Sequence, residues 1–252
     1  MAKLGPVPQK MVTIATEYAL SRLPHVAAPY LNSAMVKLMD TAIDGLAAFP
    51  SARETAAKHL QRQGDVHKAV SSVIRQHTVM AGVQGVVTNI GGIASMVVGT
   101  PINITGLIVI QVRMVACIAH LYGYDLEDPR VRTALVMCLL GERELERHIA
   151  SQKLPTTPAA VATSPVFDPD FHAQVADHVL AHLISEAAGK GVVKTVGRKT
   201  PIIGGGVGGV ADWHYTSRVS RCARKYLHIR RPVDVDISHD YVDVHYEEDF
   251  SH

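Results

Sequence analysis

The sequence predicts an all-α fold: a single helical domain built around a Gly-rich apolar helical hairpin, followed by an acidic C-terminal tail. Three observations predict it. The stretch from Gln76 to Val112 contains no Asp, Glu, Lys or Arg and repeats small residues at helical spacing. Helix-start chemistry recurs at Ser51, Asp128 and Asp168. Aromatic residues make up only 5% of the 252 positions, so small aliphatic side chains carry the 47% hydrophobic content. That composition suits helices packed at short range.

Residues 9–48 read as two helices parted near Leu23-Pro24. In the second, Ala34, Met35, Leu38, Met39, Ala42 and Leu46 recur on one face, and Pro50 closes it. Ser51 followed by Glu54 makes a capping box, so a helix starts there and runs to about Gln63. Gly64-Asp65 opens a long helix from Val66 into the charge-free stretch. Gly99-Thr100-Pro101 reads as a turn, because proline disfavours helix in the residue before it and lacks the ladder N–H. Residues 102–121 form the second arm of the hairpin, ending at Gly123. Asp128-Pro129 starts a helix that continues to about Ser151, by the pattern of an N-cap followed by proline. LPTTPAAVATSPVF, residues 154–167, reads as a loop. Asp168-Pro169 begins a helix ending near Gly189, and a last helix runs from the glycine cluster at 204–209 to about Leu227. The tail alternates apolar and acidic residues, and its charge and terminal position favour a loosely held segment. The domain is therefore expected over residues 1–231, with 232–252 as an acidic, His-containing tail.

The net charge of +2 conceals an asymmetry. The tail from Pro232 holds seven acids and no Lys or Arg, which leaves the preceding residues at about +9. A basic body can meet anionic lipid or nucleic acid. The basic residues are scattered except near Lys194, Arg198 and Lys199, and again from Arg221 through Arg224 and Lys225 to Arg231. No nucleic-acid partner is expected, and membrane affinity is placed at the C-terminal cluster. Three distant cysteines, Cys117, Cys138 and Cys222, argue for buried free thiols. The N-terminus has no apolar secretory core, so a cytoplasmic location is expected, at the inner face of the cell membrane.

Small residues recur four apart at Ala81/Gly85, Gly91/Ser95, Ser95/Gly99, Gly204/Gly208 and Gly205/Gly209. Each set lies on one helix face, where a neighbouring backbone can approach closely. Glycine inside a helix costs about 1 kcal/mol relative to alanine, so several together need a compensating contact. A tightly packed core supplies one, and so does a hairpin lying on or in a bilayer. Residues 79–98 and 102–119 are each about long enough to span. Gln84, Thr88, Asn89, Asn103, Thr105 and Arg113 oppose stable spanning, since each needs a partner in lipid.

The stretch from Gly91 to Arg132 resembles the EcsC family of bacterial proteins. The shared features are Gly91-Gly92, Pro101, Arg113 midway along the next helix, Tyr122-Gly123 and the helix start at Asp128-Pro129. The later segment from Thr200 to Leu227, with its proline, spaced glycines and arginine-bearing helix, looks like the family's C-terminal pattern. The resemblance implies a mostly helical cytoplasmic protein. The family's name comes from a neighbour of an ABC-transporter operon, which implies work at a membrane but no defined reaction.

Other constellations carry less. Gly204, Gly206 and Gly209 satisfy GxGxxG, yet no strand precedes them except the short Pro201-Ile202-Ile203, so a dinucleotide site is not expected. His178, His182 and Glu186 fall four apart on one helix face, a geometry suited to a transition metal. Phe171, Val175, Val179 and Leu183 occupy another face, which points the histidines to water. Asp40 and Asp44 read as a solvated pair. Asp212 and His214 diverge by about 200° on a helix and cannot act jointly. Arg113, a charge amid apolar sequence, calls for a carboxylate, and Glu142, Glu144 or Glu146 could supply it.

The expectation is a non-enzymatic, membrane-proximal protein without a cofactor, binding lipid or a membrane-protein partner, of the ABC-transporter kind that the family implies. The expected binding residues are Gly85, Gly91, Gly92, Gly99, Pro101, Arg113, Gly204 and Gly208. The rivals are a metal-dependent hydrolase using histidines and carboxylates, and a helical scaffold that forms homo-oligomers through its glycine faces.

Overall fold

The computed structural model describes residues 28–45, 50–90, 94–196 and 201–227, and among these it contains nine helices and no strand. They are α1 (Ala28–Asp44), α2 (Ala52–Gln63), α3 (Val66–Ile90), α4 (Ala94–Leu121), α5 (Pro129–Cys138), α6 (Glu142–Ala150), α7 (Pro158–Ala162), α8 (Pro169–Val196) and α9 (Pro201–Tyr226). The expected helix before Pro24, the positions Leu46, Gly91 and Gly92, and the acidic tail lie outside the described residues.

Local chemistry sets most helix starts. Ser51 Oγ accepts from the Glu54 N–H at 3.1 Å, and the Ser51 N–H donates to Glu54 Oε2 at 2.7 Å, which closes the capping box on both sides. Gly64, at φ +64°, ends α2 in the left-handed conformation. Asp128 accepts from the Arg130 N–H at 2.8 Å, and Asp168 accepts from the Asp170 N–H at 2.9 Å.

Three boundaries differ from the sequence reading. No turn forms at Gly99-Thr100-Pro101, because α4 runs through all three residues. α3 ends at Ile90 and α4 begins at Ala94, with residues 91–93 outside the described residues, and Pro101 removes one N–H from the α4 ladder without ending the helix. The helix expected over 129–151 is two helices, parted at Leu139–Gly141, where Gly141 takes φ +74° and ψ +164°. The loop at 154–167 contains α7, capped by Thr157 with Pro158 in the first turn. In addition, α8 continues beyond Gly189 to Val196.

The core is built around α4. Every residue from Gln111 to Tyr122 is buried, and α1, α2, α3, α5 and α9 all pack against this helix. A helix that is apolar on all sides must be covered on all sides. Here protein provides the cover for its second half. The most extensive helix pairing is between α3 and α9. A Cβ on Gly82 would lie 3.6 Å from the Gly209 carbonyl and 3.6 Å from Trp213 Cβ, ordinary contact distances that place Gly82 directly against α9. Gln84 on α3 stands beside Gly106 on α4, and Gln111 on α4 donates to Thr216 on α9 at 3.2 Å. These levels make α3 antiparallel to both α4 and α9. Among the described residues, no helix is long and apolar enough to cross a membrane.

Candidate functional site

Arg113 is buried, and its partners are not carboxylates. Its Nη2 donates to the Pro50 carbonyl and, at 2.8 Å, to Thr55 Oγ1. One turn further along α4, the Cys117 thiol donates to the Ala52 carbonyl at 3.3 Å. The two side chains thus tie α4 to acceptors around the start of α2. Burial pushes the Cys117 thiol up to about 12, so it is an inert core group. The expected acids are engaged elsewhere. Glu142 and Glu146 hold Lys225 at 2.7 and 2.6 Å, and Glu144 holds Arg147 at 2.7 Å. Asp40, read as a solvated residue, receives Arg132 at 2.7 Å.

The expected glycines are distributed over the three central helices. Gly85 lies on α3, Gly99 and Pro101 on α4, and Gly204 and Gly208 on α9. Because α3 runs against the other two, its C-terminal end and the N-terminal ends of α4 and α9 stand at one end of the molecule. The short Pro201-Ile202-Ile203 segment is helical, which removes the strand a dinucleotide loop requires. Asp212 is buried while His214 is exposed, as their helical phase dictates.

Between α3 and α9 the surface is unusual. Val79 and Val83 are 55% and 57% exposed, Val210 is 67% exposed, and Trp213 is 49% exposed. On α3 the two valines lie on one side of Gly82, and on the antiparallel α9 Trp213 and Val210 lie on that same side. Continuing down α9, His214, Arg218 and Arg221 line a cavity of about 390 Å³ against α6, opposite Arg143, Arg147 and Glu144. Glu142, which also lines it, pairs with Lys225, and Glu144 pairs with Arg147, so the wall carries a positive excess. An apolar strip ending in a cationic recess suits an amphiphile with an anionic head. Periodicity alone could not reveal it, because Trp213 and Val210 read as ordinary apolar positions until their neighbours were placed.

The histidines of α8 do not face open water as expected. His178 Nε2 is 3.4 Å from Nδ1 of His148 on α6, and the rings of His148 and His182 are 5.6 Å apart between centroids. Glu144, His148 and His182 each place a ligand-type atom within 4.8 Å of the others. The Glu186 side chain lies outside the described residues. His148 went unnoticed in the sequence, although Glu144 and His148 repeat the four-residue spacing of His178 and His182.

A family model described as the EcsC protein family matches residues 7–231. Searches of curated proteins and of solved structures returned no match. The matched range takes in all nine helices, the buried arginine of α4 and the glycine-bearing start of α9. The chain belongs to the EcsC family.

Proposed function

We propose that this protein is a non-enzymatic, membrane-proximal protein that binds the anionic phospholipid surface of a bilayer through the α3/α9 face. The carrying observation is the half-exposed Trp213, set among Val79, Val83 and Val210, one turn before an arginine-lined recess. Tryptophan favours the boundary between headgroups and acyl chains, where its ring is apolar and its N–H stays wet. Arg143 and Arg221 would meet headgroup phosphates, each basic side chain near an anionic surface contributing about 1 kcal/mol. This contact is peripheral and needs no helix to cross the bilayer. It uses the outer face of the paired α3 and α9.

Flotation with vesicles tests it. The full chain should rise with phosphatidylglycerol-containing vesicles, remain at the bottom with phosphatidylcholine alone, and be released by high salt. Trp213→Ala combined with Arg221→Glu should abolish the co-flotation while leaving the circular dichroism unchanged. Failure of the wild-type chain to rise with anionic vesicles would overturn the proposal.

A further inference from the structure

We propose that Glu144 and His148 of α6, together with His182 of α8, bind one divalent transition-metal ion of the zinc class, with His178 orienting His148 from behind. This inference shares Glu144 with the recess of the lipid reading but does not rest on that reading, and its test contains no vesicles.

The four residues form two i,i+4 pairs on two helices joined by their histidine rings, and each pair presents two side chains in the same direction. One ligand-type atom each from Glu144, His148 and His182 already falls within 4.8 Å of the others. Tetrahedral zinc, with bonds of about 2.0–2.2 Å, needs donors about 3.3–3.5 Å apart. Rotamer-scale adjustments of about 1–1.5 Å close that gap.

The second observation is independent of the spacing. His148 is only 8% exposed, and its Nε2 has no hydrogen-bond partner, nor does the buried Nε2 of His182. A buried polar atom left unpaired costs about 1–3 kcal/mol. His178 Nε2 lies 3.4 Å from His148 Nδ1. With the proton on Nδ1 donated to His178, the lone pair of His148 Nε2 is directed away from that contact. Metal-bound histidines commonly donate their other ring N–H in this way, which fixes tautomer and ring orientation.

Charge is compatible with a cation. Neutral imidazole is the ligating form. Lys153 lies within Coulombic reach of both His148 and His178. It opposes an incoming cation and Glu144 favours it. Arg147, which now holds Glu144, has a side chain 69% exposed and can release the carboxylate to a metal. Two imidazoles and one carboxylate leave a coordination position open, and the set matches zinc or iron(II) better than calcium or magnesium.

The test is zinc binding by the metal-free full chain, followed by calorimetry, with cobalt(II) absorbance as a second readout. One zinc per chain is expected at micromolar concentration, together with a tetrahedral cobalt spectrum. His148→Ala and His182→Ala should each weaken binding at least roughly 100-fold, and His178→Ala roughly 10-fold, as for ligands and their outer partners. His67→Ala, an exposed control on α3, should bind like the wild type. If His148→Ala fails to fold by circular dichroism, Glu144→Gln takes its place and should lose the cobalt spectrum. Absence of stoichiometric zinc in the wild type, or unchanged affinity when His148 and His182 are both replaced, would overturn the assignment.

Discussion

His77 is fully buried on α3, donates through Nδ1 to the Val73 carbonyl at 2.9 Å, and leaves Nε2 without a partner. Burial, with Arg113 and His59 facing it, lowers its pKa from 6.5 to about 4. His120 on α4 is lowered to about 4 by burial and by Arg53, with Asp125 acting weakly the other way. Both rings therefore fold neutral, while the unfolded chain takes up protons near pH 6.5. Stability should be full above that pH and fall as pH drops towards 4, each histidine contributing about 1.4 kcal/mol per pH unit within the window. Urea denaturation at pH 7, 6 and 5 measures this slope. His77→Asn, which can keep the N–H donor, should reduce the slope by one histidine's share, and an unchanged slope would refute the assignment. Such effects were not legible in the sequence. His77 met Arg113 and His59 only after folding, and Arg113 found acceptors 58 and 63 positions away rather than the nearby-looking acids. A charge in an apolar run announces that it needs partners. It does not announce whether carbonyls or carboxylates provide them.

At the scale of elements, the legible features were those decided within one turn of chain. The Ser51 capping box and the Asp-Pro starts of α5 and α8 formed as read, because their donors and acceptors lie two or three residues apart. The turn expected at Gly99-Thr100-Pro101 is absent because α4 runs through it, the interior proline's cost of about 3 kcal/mol being borne by a long helix packed against five others. The break after α5 was missed, although Gly141 marks it. At φ +74° and ψ +164°, Gly141 occupies a region that other residues enter only under strain, and a Cβ there would lie 3.4 Å from Arg218 Cβ. Gly141→Ala should therefore destabilise the fold by about 1–3 kcal/mol in urea titration. The break is also where Tyr215 of α9 donates to the Leu139 carbonyl at 3.0 Å, so the strain would reach the face that carries Trp213. A variant as stable as the wild type would show that the backbone there can relax.

Across the whole molecule, the two arms of the expected hairpin differ. The second arm, from Gln111 onward on α4, is enclosed by protein. The first arm, on α3, leaves Val79 and Val83 exposed beside Trp213 and Val210. Apolar surface of this kind, continuous with an arginine-lined recess, is what sets the α3/α9 face apart from ordinary scattered exposure. The sequence reading put the expected interface on the glycines, whereas the proposed one uses the exposed side chains of Val79, Val83, Val210 and Trp213. Trp213 is the only tryptophan in the chain, so its fluorescence reports on this face without labelling. Titration with phosphatidylglycerol vesicles should shift its emission to the blue, salt should reverse the shift, and phosphatidylcholine vesicles should leave it unchanged. Emission that stays at its aqueous wavelength through the anionic titration would contradict the account.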